Sequence, residues 1–261
     1  MSKLVLITGA SKGIGRELAI VFARHHYSLI LIARNLNELQ VLQSELKEKY
    51  QCEAKILSLD LSEVSAVSTI LSTFKAELPQ LDILINNAGF GIAKKFTEIS
   101  YQDVNEMIAL NITALTDLTY QILTFMQAKK SGKILNVAST AAYTPGPYMS
   151  LYYASKAFVL SLSEGLYEEY KNDGIVVSTL CPGLTRTSFQ SRAGMKNSVL
   201  VKGMFPGMTA SQVAEIAYDD LEKNKSVIIT GIFNKLSVLL MKLTPRFVGR
   251  KIMAKLNNET K

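Results

Sequence analysis

The stretch Leu4-Val5-Leu6-Ile7-Thr8-Gly9-Ala10-Ser11-Lys12-Gly13-Ile14-Gly15 decides how the rest of the chain is read. Leu4 to Ile7 is an apolar run too short for a helix and suited to a strand buried on both faces. Glycines at 9, 13 and 15 follow, and then an apolar-periodic segment from Ile14 to Ala23. The order is therefore strand, glycine-rich turn, helix start. Glycine accepts turn dihedrals that other residues resist and lets main-chain N–H groups come close to a ligand. The partial positive charge of a helix N-terminus makes such a turn an anion site. The spacing is G-x-x-x-G-x-G, neither the G-x-G-x-x-G dinucleotide fingerprint nor the G-x-x-x-x-G-K-[ST] phosphate loop. Read alone, the turn serves either a phosphate-bearing nucleotide or only a tight strand-to-helix connection.

Outward from that turn, short apolar runs recur at Leu4–Ile7, Leu29–Ala33, Lys55–Leu59, Leu81–Ile85, Lys133–Val137, Ile175–Leu180 and Val227–Ile229. Helical patterns separate them: Arg16–His25, Leu36–Tyr50, Ser62–Glu77, Ser100–Lys129, Tyr152–Asn172 and Ala210–Glu222. Strands alternating with helices predict an α/β fold, a doubly wound, parallel, seven-stranded sheet of the Rossmann type. No linker, repeat or low-complexity tract interrupts the 261 residues, so a single domain is expected.

The net charge of +7 is unevenly placed. Residues 223–261 hold nine Lys/Arg and one acidic residue, whereas the remainder holds 20 basic and 21 acidic side chains. A basic domain face for nucleic acid is therefore absent, and no nucleic-acid partner is expected. Cys52 and Cys181 lie far apart, and His25 and His26 are adjacent, so neither a disulfide framework nor a metal site is predicted. The first strand starts by Leu4, which leaves no room for a signal peptide, and a cytoplasmic location is expected.

On a doubly wound sheet ligands bind beyond the carboxyl ends of the strands. After the second run stands Arg34, where a free ribose 2′-hydroxyl calls for an acid; with Lys12 in the turn it suits a 2′-phosphate instead. A solvated surface pair is the alternative reading, and NADP(H) is favoured over NAD(H). After the third run, Asp60 precedes Leu61 and Ser62, placed to cap the next helix or to accept from an adenine amino group. Asn86-Asn87-Ala88-Gly89 follows the fourth run and suits either close approach to a flat ligand or an ordinary turn. Asn111 is a poor choice in mid-helix, and its apolar neighbours Ile108, Leu110, Ile112 and Leu115 suggest a buried polar task.

The fifth run ends near Ser139, and 13 residues on, Tyr152 and Lys156 sit four apart at a helix start, on one helix face. A neighbouring ammonium lowers a phenol pKa and makes Tyr a usable proton donor near neutral pH. A second Tyr-x-x-x-Lys pair, Tyr167 and Lys171, falls at the far end of that helix and reads as surface. Pro182-Gly183, with Thr185 and Thr187, ends the sixth run; it either stops a strand or holds an amide and phosphates.

Taken together and in order, these residues resemble the short-chain dehydrogenase/reductase family in its single-domain form, over nearly the whole chain from Lys3 to about Gly231. The resemblance rests on Thr8–Gly15, Asp60, Asn86–Gly89, Asn111, Ser139, Tyr152, Lys156 and Pro182–Thr187. Thr185 stands where an aliphatic residue is common. The resemblance implies an oxidoreductase that moves hydride between nicotinamide and a carbonyl or alcohol carbon. Tyr152 would exchange the proton, Ser139 would hold the oxygen, Lys156 would bind the nicotinamide ribose, and Asn111 would anchor a water leading to solvent. Cofactor contacts would come from Gly9, Ser11, Lys12, Gly13, Ile14, Gly15, Arg34, Asp60, Leu61, Asn87, Ala88, Gly89, Tyr152, Lys156, Pro182, Gly183, Thr185 and Thr187. Members are usually homodimers or homotetramers, and the same is expected here. A rival reading is a non-catalytic NADP(H)-binding scaffold; an intact Ser139, Tyr152 and Lys156 set argues against it.

Residues 1–231 are thus expected to form the catalytic domain, including a substrate loop over 188–209. Phe189, Met195, Leu200, Val201, Met204, Phe205 and Met208 give that loop an adaptable apolar wall, and Gly194, Gly203 and Gly207 would let it move as a lid. The same side chains serve equally to pack into the domain's own core or an oligomer interface; as a pocket wall they lead to the expectation of a lipophilic substrate, an acyl chain or a polycyclic ketone. The remaining 232–261 read as a basic amphipathic extension. Within 232–256 the segment suits peripheral contact with an anionic membrane, packing against the domain, covering the substrate mouth, or an oligomer contact. Pro245 is expected to break it.

Overall fold

The computed structural model of the chain describes residues 3–195 and 207–258. The apolar runs form β1 (Leu4–Thr8), β2 (Ser28–Ala33), β3 (Ala54–Ser58), β4 (Ile83–Asn86), β5 (Gly132–Val137) and β6 (Ile175–Cys181). Two short strands, β7 (Thr185–Arg186) and β8 (Met208–Thr209), pair with each other, and β9 (Val227–Ile229) completes the main sheet. That sheet is parallel throughout, in the order β3-β2-β1-β4-β5-β6-β9. The helices are α1 (Gly13–Arg24), α2 (Leu36–Tyr50), α3 (Ala66–Thr73), α4 (Tyr101–Ile108), α5 (Leu115–Lys129), α6 (Ser150–Tyr170), α7 (Phe189–Arg192), α8 (Ala210–Glu222), α9 (Ile232–Leu243) and α10 (Arg246–Asn257).

Successive side chains on a strand point to opposite faces, so a strand apolar at every position builds two cores. Val5 and Ile7 of β1 pack with Leu29 and Leu31 of β2 against α1, α2 and α8. Leu6, Ile30 and Ile32 face the other way, against α3 and α5. The seven-stranded, doubly wound, Rossmann-type sheet is as the periodicity predicts. β1 lies between β2 and β4, so the chain winds outward from β1 and then returns to start the other half. That reversal opens a crevice at the carboxyl ends of β1 and β4, where the glycine turn and Asn87–Gly89 stand.

Three helices depart from the pattern. The segment expected to be helical over Ser62–Glu77 is helical only from Ala66 to Thr73. Asp60 Oδ1 accepts from the Ser62 N–H at 2.9 Å and the Ser62 hydroxyl at 2.7 Å, holding a turn where a helix start was expected. The long helix expected over Ser100–Lys129 is interrupted by a π-helical turn at Ala109–Ala114, a local widening that carries Asn111. The extension after Gly231 forms two helices, α9 and α10, with Pro245 between them; proline cannot continue a helix from within.

The expected substrate loop is described at 188–195 and 207–209. Its Leu200, Val201, Gly203, Met204 and Phe205 lie outside the described residues.

Candidate active site

The floor of the crevice begins with main-chain geometry. Gly9 has φ +64°, and a Cβ on it would come within 2.9 Å of the Ala88 Cα. A Cβ on Gly15 would lie 2.4 Å from the Gly9 carbonyl oxygen. The turn therefore folds so tightly onto α1 and the β4 loop that glycine is required at both points. Asn87 Nδ2 donates to the Thr8 and Gly9 carbonyls at 3.0 and 3.1 Å, and the Thr8 hydroxyl accepts from the Asn87 and Ala88 N–H groups. The Asn87 amide, read as a contact to a flat ligand, is thus engaged in holding the turn. The first turn of α1 has no side-chain cap and no acidic residue, and Ser11, Lys12, Gly13 and Ile14 at its start line the crevice. Uncapped helix donors beside a cavity are suited to a pyrophosphate.

The cavity over this floor has a volume of ≈ 1380 Å³. That exceeds the roughly 300–1,000 Å³ of a single small-ligand site and has room for a dinucleotide together with a substrate. The residues expected from the sequence converge on it: Gly9 and Ser11–Ile14, Arg34, Asp60, Leu61, Asn87–Gly89, Ser139, Tyr152, Lys156, Pro182, Gly183, Thr185 and Thr187. Gly15 and Asn111 do not line it. Gly15 is buried behind the turn, and Asn111 is buried behind Gly89.

Arg34 and Lys12 reach the same end of the cavity, each with a carboxylate partner. Arg34 Nη1 lies 3.4 Å from Asp60 Oδ2, and Lys12 Nζ lies 2.6 Å from Glu38 Oε1. Burial pushes the Asp60 carboxyl up, but the Ser62 hydrogen bonds and Arg34 outweigh it and leave the group below its ordinary range. Asp60 is thereby committed to the turn and to Arg34. At the far end, the Thr185 hydroxyl donates to the Gly183 carbonyl and the Thr187 hydroxyl accepts from the Phe189 N–H, so both shape the loop after β6.

Tyr152 and Lys156 lie on the first two turns of α6, opposite Ser139 at the end of β5. Ser139 Oγ accepts from the Ala141 N–H at 3.1 Å and donates to the Pro182 carbonyl at 3.4 Å, and it stands close enough to the Tyr152 hydroxyl to favour its ionised form. Lys156 is buried, and its Nζ donates to the Val137 carbonyl at 2.8 Å while standing 5.7 Å from the centre of the Tyr152 ring. The expectation that Lys156 lowers the Tyr152 pKa is not met in this arrangement. Burial pushes the phenol above its ordinary value, and only the neighbouring Ser139 hydroxyl opposes it. Burial also lowers the Lys156 ammonium to about 8. The second pair departs from the site as expected: Lys171 is ion-paired with Glu168 on the surface.

Asn111 works from behind. Its Nδ2 donates to the Phe90 carbonyl at 2.9 Å and to Ser155 Oγ at 3.1 Å, while its Oδ1 accepts from the Phe90 N–H at 3.1 Å. Ser155 Oγ in turn donates to the Tyr152 carbonyl at 2.7 Å. The π-helical turn thus ties the loop after β4 to the start of α6. Ser155 is a link that sequence reasoning missed, because a serine inside a helix carries no distinguishing signal. A second missed network is fully interior: Asn86 Nδ2 donates to Thr119 Oγ1 and Asn136 Oδ1, and Asn136 Nδ2 to Ser163 Oγ.

The roof is apolar. Met149, Tyr153, Ala193, Met195 and Met253 form a buried cluster, with Tyr152, Phe189, Met241 and Leu256 packed against it. The extension contributes to the cavity wall: Met241, Met253 and Leu256 line it. The Tyr153 hydroxyl donates to Asn257 Oδ1 at 3.2 Å, and Asn257 Nδ2 donates to the Pro147 carbonyl at 3.0 Å, pinning α10 to the loop before α6.

A model of the short chain dehydrogenase family matches residues 3–198. The chain belongs to the short chain dehydrogenase family. It is 35% identical over 187 residues to mouse 17-beta-hydroxysteroid dehydrogenase type 3, covering 70% of this chain and 60% of that protein. To very-long-chain 3-oxoacyl-CoA reductase-B of Danio rerio it is 33% identical over 186 residues, covering 70% of this chain and 59% of that protein. The matched region thus spans about three fifths of the length of these two relatives. A short-chain dehydrogenase from Sphingobium yanoikuyae, solved in complex with NADPH, has 31% identity and a TM-score of 0.81, with 92% of this chain and 94% of that chain covered. Members of the short chain dehydrogenase family are oxidoreductases that bind a nicotinamide cofactor. The residues present fit such a group: an uncapped helix N-terminus and a glycine turn at one end of the cavity, and Ser139, Tyr152 and Lys156 at the other.

Proposed function

We propose that this protein is an NADP(H)-dependent oxidoreductase acting on the carbonyl, or the secondary alcohol, of a lipophilic substrate such as an acyl chain or polycyclic ketone. The observation that carries the reading is the convergence of Ser139, Tyr152 and Lys156 at the point where a polar floor meets an apolar roof. The glycine turn and the first turn of α1 would hold the pyrophosphate, Lys156 the nicotinamide ribose, and Arg34 with Lys12 the 2′-phosphate. A bound nicotinamide supplies or accepts a hydride at the substrate carbon.

The chain's own residues govern the oxygen and its proton. Tyr152 gives its hydroxyl proton to the carbonyl oxygen in reduction and takes it back in oxidation. Its raised pKa keeps it protonated across the neutral range, which suits a donor. Ser139 holds the same oxygen and stabilises charge that develops on it. Asn111 fixes the α6 start through Ser155, and a water held there would return the proton to the site. Arg34 and Lys12 exchange their carboxylate partners for a phosphate; guanidinium and phosphate match as a bidentate pair. The Sphingobium neighbour's NADPH supports the cofactor reading, and the hydroxysteroid and very-long-chain oxoacyl names of the relatives support a lipophilic substrate. Two buried free cysteines accord with a reducing, cytoplasmic setting, and a homodimer or homotetramer is the proposed assembly.

Fluorescence titration with NADPH and NADH tests this first. Tight NADPH and much weaker NADH are expected, followed by NADPH oxidation on a panel of lipophilic ketones. Equal or inverted cofactor preference removes the role given to Arg34 and Lys12. No binding of either cofactor removes the enzymatic reading.

A further inference from the structure

The roof helix α9 is apolar on two sides. Val238 is buried and Met241 half-buried against the domain. On the opposite side Ile232, Leu236, Leu239 and Leu243 recur at spacings of four, three and four, which places them on one stripe, and Leu240 widens it. That stripe is exposed: Ile232 by 72%, Leu239 by 54% and Leu243 by 75%. An ordinary surface helix turns a polar face outward. A contiguous apolar face of this kind marks an interaction surface.

Charge selects what lies against it. Residues 232–256 contain six Lys/Arg and no Asp or Glu. Lys235 and Lys242 lie beside the stripe on α9, the Lys242 ammonium standing 5.1 Å over the Tyr143 ring, and Arg246, Arg250, Lys251 and Lys255 follow on α10. A twofold dimer through this face would bring that basic set against itself. An anionic lipid surface instead offers negative headgroups to the lysines and arginines and an acyl layer to the leucines. Among the described residues no helix is long and apolar enough to cross a membrane, so contact of this kind is peripheral.

The stripe also continues inward, because Leu236 and Leu240 are exposed and line the cavity at once. We propose that the exposed face of α9, with its basic flank, docks on an anionic lipid bilayer, and that the cavity opens through the docked face. This rests, for its purpose, on the reading of a lipophilic substrate: such a molecule could then pass from the acyl layer to Tyr152 without crossing water.

Cosedimentation of the full chain with vesicles tests it, using phosphatidylcholine alone and phosphatidylcholine mixed with phosphatidylglycerol. Binding to the anionic vesicles at low salt is expected, weakened by added salt, with little binding to neutral ones. The double variant Leu239→Glu/Leu243→Glu changes exposed residues outside the cavity lining; it should weaken vesicle binding about tenfold or more and keep wild-type turnover on a water-soluble ketone. No binding to anionic vesicles at low salt overturns the proposal, as does equal binding to neutral ones. Light scattering that shows a dimer lost in the double variant, with no vesicle binding by the wild type, assigns the face to a second copy and also overturns it. Vesicle binding by a protein that reduces no ketone leaves the docking surface standing and removes only the reading of the reaction.

Discussion

The floor and the roof of the same cavity are built on different physical terms. The floor is made of strand ends, a glycine turn and a helix N-terminus, tied by hydrogen bonds from the Asn87 amide to the Thr8 and Gly9 carbonyls and set in a sheet buried on both faces. Adding one carbon at Gly15 has nowhere to go. The roof is made of methionines, leucines and tyrosines on helices attached at the edge. Its side chains are adaptable, and much of α9 faces outward. A floor of this kind specifies one shape of ligand, whereas a roof of this kind sets a class, apolar and of variable outline. The contrast teaches why cofactor chemistry is read closely from this chain and substrate identity only as a class.

The largest expected effect lies where the two meet. Tyr152 stands beside Ser139 on the floor and packs at 5.3 Å from Phe189 under the roof. Tyr152→Phe should lower turnover on the order of 10²–10⁴-fold, with NADPH affinity unchanged. Near-normal steady-state kinetics would break the assignment of the proton to this residue.

A pair of stability measurements sharpens the contrast itself. Gly15→Ala should cost about 1–3 kcal/mol of global stability through overpacking and abolish NADPH binding. Met253→Ala removes a buried roof side chain, a change that costs about 2–5 kcal/mol where a core cannot relax. Here it should be absorbed as local detachment of α10, lost amide protection in that helix with a thermal midpoint close to wild type. Equal falls in midpoint for both variants would show the roof to be as integral as the floor.

Arg34→Glu reverses one of the two cations beside the proposed 2′-phosphate position. Loss of a charge-assisted hydrogen bond should raise the NADPH dissociation constant about ten- to a hundredfold, while NADH binding is retained or improved. Unchanged NADPH affinity would move the phosphate reading to Lys12 or remove it.

The smallest effect is in pH. Burial lowers Lys156 to about 8, so its charge is present below that pH and lost above it. Ketone reduction at saturating NADPH should therefore decline above about pH 8, by up to roughly tenfold per unit if the charged form alone is competent. Lys156→Arg, which stays charged, should shift that limb upward. A flat profile to pH 10 would show that the ammonium charge is dispensable.

Much of the site was legible because its residues stand where the chain leaves a strand. Short continuous apolar runs and punctuation by Gly, Asn and Pro locate strand ends without any knowledge of packing. Thr8–Gly15, Asn86–Gly89, Ser139 and Pro182–Thr187 were found that way. Helical segments were less legible. The π-helical turn at Ala109–Ala114 and the shortened α3 depend on hydrogen bonds to Phe90 and Asp60, partners distant in sequence or hidden in a turn.

The sequence by itself determined the doubly wound sheet, the crevice beside β1 and β4, and the residues after each strand that line its floor, since apolar runs and punctuation are local properties. Tertiary structure alone decided how those side chains are used. It turned Asn87 and Asp60 to holding the floor and set Asn111 behind Gly89 instead of in the cavity. It placed Lys156 on the Val137 carbonyl so that burial, not a neighbouring charge, governs Tyr152, and it brought α9 and α10 back to the cavity wall. Burial and pairing arise from residues far apart in the chain, and neither has a local signature to read.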